Sequence, residues 1–380
     1  MKKIKVLHFG TLDENAGGPA ISTYLTLKGL NETGVDAEIL MFPLSHDGQL
    51  RGTDVPVHYA SKSWGPKLLY SPYLKKEISS LGGYNIYHAQ GVWQYPTYAI
   101  ADIARKNHTP YLITPRGMLY PQDIRKSNYW LKMFSLKYRL LNDLNRAACV
   151  QVTCEEEMHY CRELGVSSPI AIIPNPVDNR DYEPLKFDGP FRLGYFGRLS
   201  PRKNVESLVY AFAELGDLQK DAELWIIGGG NSKYENFLKN EVIRLKLKGV
   251  HFTGFLSGKA KDEALSGISV LAMPSEFENF GNVVLEGLIR GIPCIATQGA
   301  PWKDLETFKC GWWIPFKQES LNEVVRQVVQ MNQETLQSMG EAGKKMVKKK
   351  YSVSYVANMM KQTYEWILNQ GPAPEFLYER

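Results

Sequence analysis

Two carboxylates eight residues apart, Glu278 and Glu286, frame the stretch of this 380-residue chain best suited to chemistry. The stretch runs Met273-Pro274-Ser275-Glu276-Phe277-Glu278-Asn279-Phe280-Gly281, and an apolar helical pattern carrying Glu286 follows. A strand ends at Met273, a Pro-Ser loop turns the chain, and a helix starts near Gly281. Glu286 then lies about 7 Å along that helix, at ~1.5 Å per residue. Glu278 lies ahead of its N-terminus. The free N–H groups between the two form an anion site. Carboxylate, phosphate-binding backbone and carboxylate suit a ligand with a hydroxyl-rich ring at each end and a diphosphate between. A nucleotide sugar has that layout, with its hexose near Glu278 and its ribose near Glu286. The same residues would also serve as two solvated glutamates on an ordinary βα turn.

A second turn adds to the pattern. Tyr195-Phe196-Gly197-Arg198-Leu199-Ser200-Pro201-Arg202-Lys203-Asn204 again joins a strand to a helix. Arg198 and Lys203 are cations at a helix start, where the dipole favours acids. They make sense there if they help bind a phosphate. Arg202 fits a solvent-facing place. The plain alternative is a basic surface turn.

These turns need a frame. Apolar, β-branched runs alternate with helical patterns through most of the chain. Strands are expected at Lys5–Gly10, Ala37–Phe42, Asn85–Ala89, Tyr111–Thr114, Cys149–Thr153 and Ala171–Ile173. Helices fall at Ala20–Leu30, Tyr98–Lys106, Trp130–Ala147 and Glu155–Leu164. Pro174, Pro176 and Pro184 then break the pattern within a polar stretch, which reads as a linker. The alternation restarts with strands at Arg192–Phe196, Glu223–Ile227, Val250–Thr253, Val270–Met273 and Pro293–Ala296, and helices at Asn204–Leu215, Tyr234–Leu245 and Leu285–Arg290. The fold class is α/β: two doubly wound domains, 1–178 and 191–350, joined by a linker at 179–190. A helix and tail follow at 351–380, with loose last residues. Two such domains hold a ligand in a cleft at the carboxyl ends of their sheets.

Composition excludes several classes. Apolar residues are 44% and charged residues 22%, an ordinary globular balance. No stretch approaches the roughly 20 apolar residues that span a bilayer. Met1–Gly10 reads as a first buried strand and not as a secretory signal. Cys149, Cys154, Cys161, Cys294 and Cys310 are too few and too irregular for a disulfide framework, and no CxxC pair marks a zinc site. A reducing cytoplasm is the expected location. No GxGxxG follows the first strand, which weighs against a dinucleotide oxidoreductase; Gly228-Gly229-Gly230 is a Gly-rich turn without the remaining fingerprint.

The pair GRLxxxKN and ExFGxxxxE resembles retaining glycosyltransferase family 4, which has the GT-B fold of two Rossmann-like domains. Gly17-Gly18-Pro19, Thr114-Pro115-Arg116-Gly117-Met118-Leu119, Ile173-Pro174-Asn175-Pro176-Val177-Asp178 and Ile227-Gly228-Gly229-Gly230 agree with it in order. Pro301-Trp302 through Cys310-Gly311-Trp312-Trp313 looks like the stretch seen in surface-polysaccharide members. The resemblance implies that Arg198 and Lys203 bind the donor diphosphate in place of a metal. It implies that Glu286 binds the ribose and Glu278 the transferred sugar, with the backbone of Asn279, Phe280 and Gly281. Gly17 and Gly18 would let a loop approach donor and acceptor. Gly254 and Phe255 would lie near the nucleobase. No cofactor or metal is expected, and the last helix would cross back to the N-terminal domain. Reaction on one face of the sugar is implied, with the leaving phosphate helping to deprotonate the acceptor.

One departure stands out. Family members often carry H-x-H after the strand at Asn85–Ala89, whereas this chain has His88-Ala89-Gln90. His88 is then a candidate active-site histidine, or a buried hydrogen-bonded one with Gln90 doing the polar work. The implied activity is transfer of a hexose from a UDP- or GDP-sugar to a glycan or polyprenyl-diphosphate-linked acceptor in bacterial surface-polysaccharide synthesis. A catalytically silent nucleotide-sugar sensor of the same fold is the alternative.

Charge is uneven. Residues 51–150 carry 14 Lys/Arg against 5 Asp/Glu, although the whole chain is only +5. Within 116–146, Arg116, Arg125, Lys126, Lys132, Lys137, Arg139 and Arg146 interleave with Tyr129, Trp130, Phe134 and Tyr138. Such a helix can lie on an acidic membrane surface, here the inner leaflet. It can also place its aromatics in a core and its lysines in water. No RNA- or DNA-binding motif accompanies it, so no nucleic-acid partner is expected.

Overall fold

The computed structural model describes residues 3–46, 48–50, 54–65, 67–180, 182–183, 185 and 189–379. Pro184 and part of the expected linker at 179–190 lie outside the described residues. The chain divides into two units. One takes residues up to 178 together with those from 352 onward, and the other takes 179–351.

The first unit contains β1 (Lys5–Phe9), β2 (Asp36–Met41), β3 (Val57–Tyr59), β4 (Ile86–Gln90), β5 (Tyr111–Thr114), β6 (Cys149–Val152) and β7 (Ile170–Ile172). The second contains β8 (Phe191–Phe196), β9 (Ala222–Ile227), β10 (Val250–Gly254), β11 (Val270–Met273), β12 (Cys294–Thr297) and β13 (Gly311–Ile314). The chain returns at its end to add β14 (Leu377–Tyr378) to the first unit.

The sheet orders are β14-β7-β6-β5-β4-β1-β2-β3 and β10-β9-β8-β11-β12-β13. All pairings are parallel except that of β14 with β7. Each sheet starts in its middle and reverses direction once, between β1 and β4 and between β8 and β11. Those reversal points are where open α/β sheets take their ligands.

Both faces of the first sheet are covered, so its strands are apolar throughout. Leu7, Tyr87, Ile113 and Val150 point to one core, and their neighbours Val6, Ile86, Leu112 and Cys149 point to the other. The second face is closed by the helices Gly18–Glu32 and Val353–Ile367. They meet so closely that a Cβ on Gly29 would lie 2.6 Å from Val353 Cγ1 and 2.8 Å from Ala357 Cβ. The tail is therefore not loose: Leu377 and Tyr378 pair with Ala171 and Ile170.

Two further differences from the sequence reading concern burial. The expected helix Trp130–Ala147 is split into Tyr129–Ser135, one wide turn at Leu136–Leu140, and Leu141–Asn145. Leu136, Leu140 and Leu144 fill the core, while Trp130, Phe134 and Tyr138 stand 82%, 61% and 66% exposed. The second difference is His88. Strand alternation places it beside His8, in register across β1 and β4, with ring centroids 4.5 Å apart. His88 is fully buried; its Nδ1 meets Tyr364 Oη at 2.9 Å and its Nε2 meets Thr114 Oγ1 at 2.7 Å. Tyr364 also reaches His8 Nε2 at 3.0 Å. Both imidazole nitrogens of His88 are thus committed inside the protein. The reading of His88 as a group that meets substrate gives way to the buried, hydrogen-bonded one.

Burial, with Arg116 adding to it, pulls the His8 pKa down to about 3, and burial lowers that of His88 as well. Unfolded histidines titrate near 6.5, so the fold binds fewer protons than the unfolded chain as pH falls below that value. Stability is complete above pH ~6.5 and declines toward pH 3, by about 2 kcal/mol at pH 5 for His8, with His88 acting in the same direction. Melting of the whole chain between pH 7.5 and 5 is expected to fall more steeply in the wild type than in His88→Asn. Equal slopes would contradict a histidine origin.

Candidate active site

The loops that follow β8 and β11 meet in the second unit. After β8, Gly197 adopts φ +142°, and its N–H donates to Ile227 O at 3.0 Å. Gly228 runs so close that a Cβ there would stand 1.9 Å from Gly197 O, and one on Gly230 would stand 2.4 Å from Leu199 O. The glycine triplet therefore lets the end of β9 pack against this loop. Tyr195 Oη donates to Arg198 O at 3.0 Å, which fixes the backbone that carries the exposed Arg198 side chain. A short turn, Pro201–Lys203, leads to Asn204, which is left-handed at φ +51° and caps the helix Val205–Ala213.

After β11 the chain is clamped to its neighbours. Glu276 N–H donates to Arg202 O at 3.2 Å, joining the two loops directly. Glu278 N–H donates to Gly299 O at 2.8 Å, and Trp302 Nε1 donates to Phe280 O at 2.6 Å. Phe280, Trp302 and Tyr351 form an aromatic cluster with ring centroids 5.4–5.9 Å apart. Gly281, at φ +81°, starts the helix Asn282–Ile289. That helix lies close on the sheet, because a Cβ on Gly287 would come within 2.7 Å of Cys294 Sγ.

Two ion pairs result. The Lys203 ammonium meets the Glu278 carboxylate, which is only 8% exposed. The second pair is Lys261 Nζ with Glu286 Oε2, at 2.9 Å. Lys261 belongs to the helix Gly258–Ser266 and was not singled out in the sequence. Lys261 is a cation in the first turn of that helix, but Lys259 stands in the same turn, so position alone does not pick it out. Gly254, at φ +72°, ends β10, accepts a bond from Gly228 N–H at 2.9 Å, and is followed by Phe255, 72% exposed.

The remaining expected residues are in the first unit. Gly17, at φ +74°, caps the helix Gly18–Glu32, with open space where its Cβ would be. Gln90 accepts from Arg116 Nε at 3.0 Å and meets His8 Nδ1 at 3.3 Å. Arg116 Nη1 also donates to Ser22 Oγ and Asn175 Oδ1, at 3.0 and 2.8 Å, and Nη2 to Thr23 Oγ1, at 3.1 Å. Burial pulls its pKa down to about 10, against the pull of Glu157. So Arg116, one of the seven cations of 116–146, faces inward. Arg139 is tied to Asp102 and Asp143. Arg125, Lys126, Lys137 and Arg146 remain exposed. Among the described residues, no cluster of three or more His, Cys, Asp or Glu could hold a metal ion. Among the described residues, no helix is long and apolar enough to cross a membrane.

Comparison with known proteins agrees with this architecture. Residues 16–180 match the family model described as Glycosyltransferase Family 4, and residues 178–346 match Glycosyl transferases group 1. The chain belongs to the GT4-type glycosyltransferases and has the GT-B fold. A GDP-mannose-dependent alpha-mannosyltransferase of Mycolicibacterium smegmatis is 34% identical over 137 residues, 35% of this chain and 32% of that one. The chain spans about a third of that relative's length, and across the curated relatives it matches the share runs from 21% to 79%. Among solved structures, sucrose-phosphate synthase of Thermosynechococcus elongatus superposes with a TM-score of 0.75 at 19% identity, covering 97% of this chain and 100% of that one. Anabaena HepE in complex with UDP-glucose gives 0.74 at 18%, covering 96% and 100%. These two likenesses are of fold.

Gly281→Ala places a Cβ 2.7 Å from Met273 Cε and 3.1 Å from Trp302 Nε1 at a left-handed position. It is expected to destabilise the second unit by about 1–3 kcal/mol in denaturant unfolding. Gly17→Ala meets only the backbone strain and is expected to cost less. Equal losses would remove the packing argument.

Proposed function

We propose that the chain transfers a hexose from a UDP- or GDP-sugar, with retention and without a metal, to a glycan or polyprenyl-diphosphate-linked acceptor during bacterial cell-surface polysaccharide synthesis. The observation that carries this reading is the Lys203–Glu278 pair ahead of the helix Asn282–Ile289. It puts a cation, a carboxylate and a helix N-terminus in one place, which suits a sugar diphosphate. The GDP-mannose-dependent relative and the UDP-glucose complex support a nucleotide-sugar donor of either base.

In this reading Arg198 and Lys203 hold the diphosphate, and Glu278 accepts hydrogen bonds from hydroxyls of the hexose. The bond from the anomeric carbon to the diphosphate oxygen breaks, and its electron pair stays on that oxygen. The acceptor oxygen bonds to the anomeric carbon from the same face, and its proton passes to the leaving diphosphate. Two cations beside the departing charge supply the electrostatic stabilisation a metal would otherwise give. Glu286 holds the ribose, Phe255 lies beside the base, and the N–H groups from Asn279 to Gly281 face the donor. The burial of His88 favours a second reading, a silent nucleotide-sugar sensor, because both ring nitrogens of the histidine on that strand are bonded within the protein.

A thermal-shift screen with UDP, GDP and their sugar conjugates, without metal, separates these cases when followed by turnover. One base is expected to stabilise the chain, its sugar conjugate more so. Lys203→Ala should then lower kcat about 10²–10³-fold, far beyond its effect on melting. Binding without any turnover would favour the sensor, and equal loss of melting temperature and activity would remove Lys203 from the chemistry.

The cytoplasmic face of the inner membrane is the proposed location. Trp130, Leu131, Phe134 and Tyr138 are exposed beside Lys137, with Arg125 and Lys126 close by in sequence. Aromatic rings with a basic rim fit an anionic lipid surface. The chain is expected to float with liposomes containing anionic lipid, and a Trp130→Ser/Phe134→Ser variant to remain behind. Absence of flotation in the wild type would sink the membrane contact.

A further inference from the structure

Glu286 does not stand alone, and its partner is placed with unusual care. Lys261 Nζ donates to Glu286 Oε2 at 2.9 Å, and both side chains are about one-fifth exposed. The same ammonium lies 5.5 Å from the centre of the Phe196 ring, the last residue of β8. It therefore sits between the end of β8 and the helix carrying Glu286, at the reversal point of the second sheet.

The next residue locks this position. Asp262 Oδ1 accepts from Arg290 Nη2, and its Oδ2 accepts from Arg180 Nη2, each at 2.6 Å. Arg290, with a side chain only 3% exposed, also donates through Nη1 to Glu286 O at 2.7 Å. The turn bearing Lys261 is thus fastened to the turn bearing Glu286 by a deeper set of bonds, and Arg290 Nη1 also lies 3.8 Å from Glu286 Oε2, beyond hydrogen-bond distance, so Lys261 holds the shorter contact with that carboxylate. A cation in the first turn of the helix Gly258–Ser266 opposes the helix dipole. Placement against the dipole, near an aromatic ring and on a carboxylate is more than a surface ion pair requires.

We infer that Lys261 is a specificity-determining residue that reads the donor's ribose together with Glu286. This rests on the donor-site reading above and names a residue that reading does not contain. The bond to Lys261 uses Oε2, which leaves Oε1 to accept from one ribose hydroxyl. The ammonium has three N–H groups, and one goes to Glu286. Another can donate to the neighbouring hydroxyl of the same cis-diol. One hydroxyl then donates and the other accepts, so the diol bridges carboxylate and ammonium. A deoxyribose loses one arm and leaves a desolvated charged group short of a partner. No bond of the ribose changes in the transfer, so Lys261 acts on recognition and placement of the donor.

The test measures binding of UDP and GDP, and of their 2′-deoxy and 3′-deoxy forms, by calorimetry with the full chain. The wild type is expected to prefer the ribonucleotide of its base over at least one deoxy form by about tenfold or more. Lys261→Met should bring that ratio to within about twofold, while Lys261→Arg, which keeps a donor, retains part of it. The ratio compares ligands on one variant, so it is insensitive to a lowered folded fraction. Should Lys261→Met fail to fold, Lys261→Ala, which also lacks a donor, takes its place. An unchanged ratio in the variant, with or without a fall in melting temperature, makes the pair purely structural and overturns the inference. A wild type that binds none of these nucleotides overturns the donor-site reading itself.

Discussion

A carboxylate with 8% exposure needs a partner, and Lys203 supplies it for Glu278. Taking either charge from water alone would cost several kcal/mol, and only close pairing offsets that. The rest of the second unit is arranged so that the two side chains arrive at one point. Lys203 comes from the turn after β8 and Glu278 from the loop after β11, strands adjacent in space but 74 residues apart at their nearest ends. Each loop is fixed by its own backbone bonds, and the Glu276–Arg202 bond joins them. The glycines at 197, 228, 281 and 299 act on the same point, since a side chain on any of the last three would strike a neighbouring atom at under 3 Å.

The first unit has its own buried polar centre, built from uncharged groups around one cation. His8, His88, Tyr364, Thr114 and Gln151 hand hydrogen bonds from β1 to β6. Arg116 joins this chain through Gln90. A network of this kind is stable only when every member is satisfied, and a helix from the far end of the sequence supplies Tyr364.

The order of most strands was legible in the sequence, because a strand buried on both faces is an apolar run with few alternatives. Tyr111–Thr114 and Val270–Met273 are met residue for residue, and the other expected strands shift by one position at one or both ends. The three-residue β3 and the strand β13, Gly311–Ile314, carry too little pattern to be seen. The carboxylates and cations of the two loops were legible from residue type and spacing. Lys261 was missed because its partner Glu286 is 25 residues away and nothing local links them. For His88 the sequence left two readings, and the choice depended on Tyr364, 276 residues away. Trp130, Phe134 and Tyr138 have the spacing of a core face, yet Leu136, Leu140 and Leu144 have the same spacing on another face of the segment, and the leucines take the interior.

The return of the chain to its first unit has a consequence for synthesis. Residues 179–351 form a continuous stretch, whereas the first unit needs the helix Val353–Ile367 and β14. As the chain leaves the ribosome, the first sheet waits with one face uncovered and one edge unpaired while the second unit emerges whole. Domains commonly fold in the order in which they are made. Here the unit that begins first is completed last, and a chain cut short after Tyr351 would leave residues 179–351 whole and the first unit open.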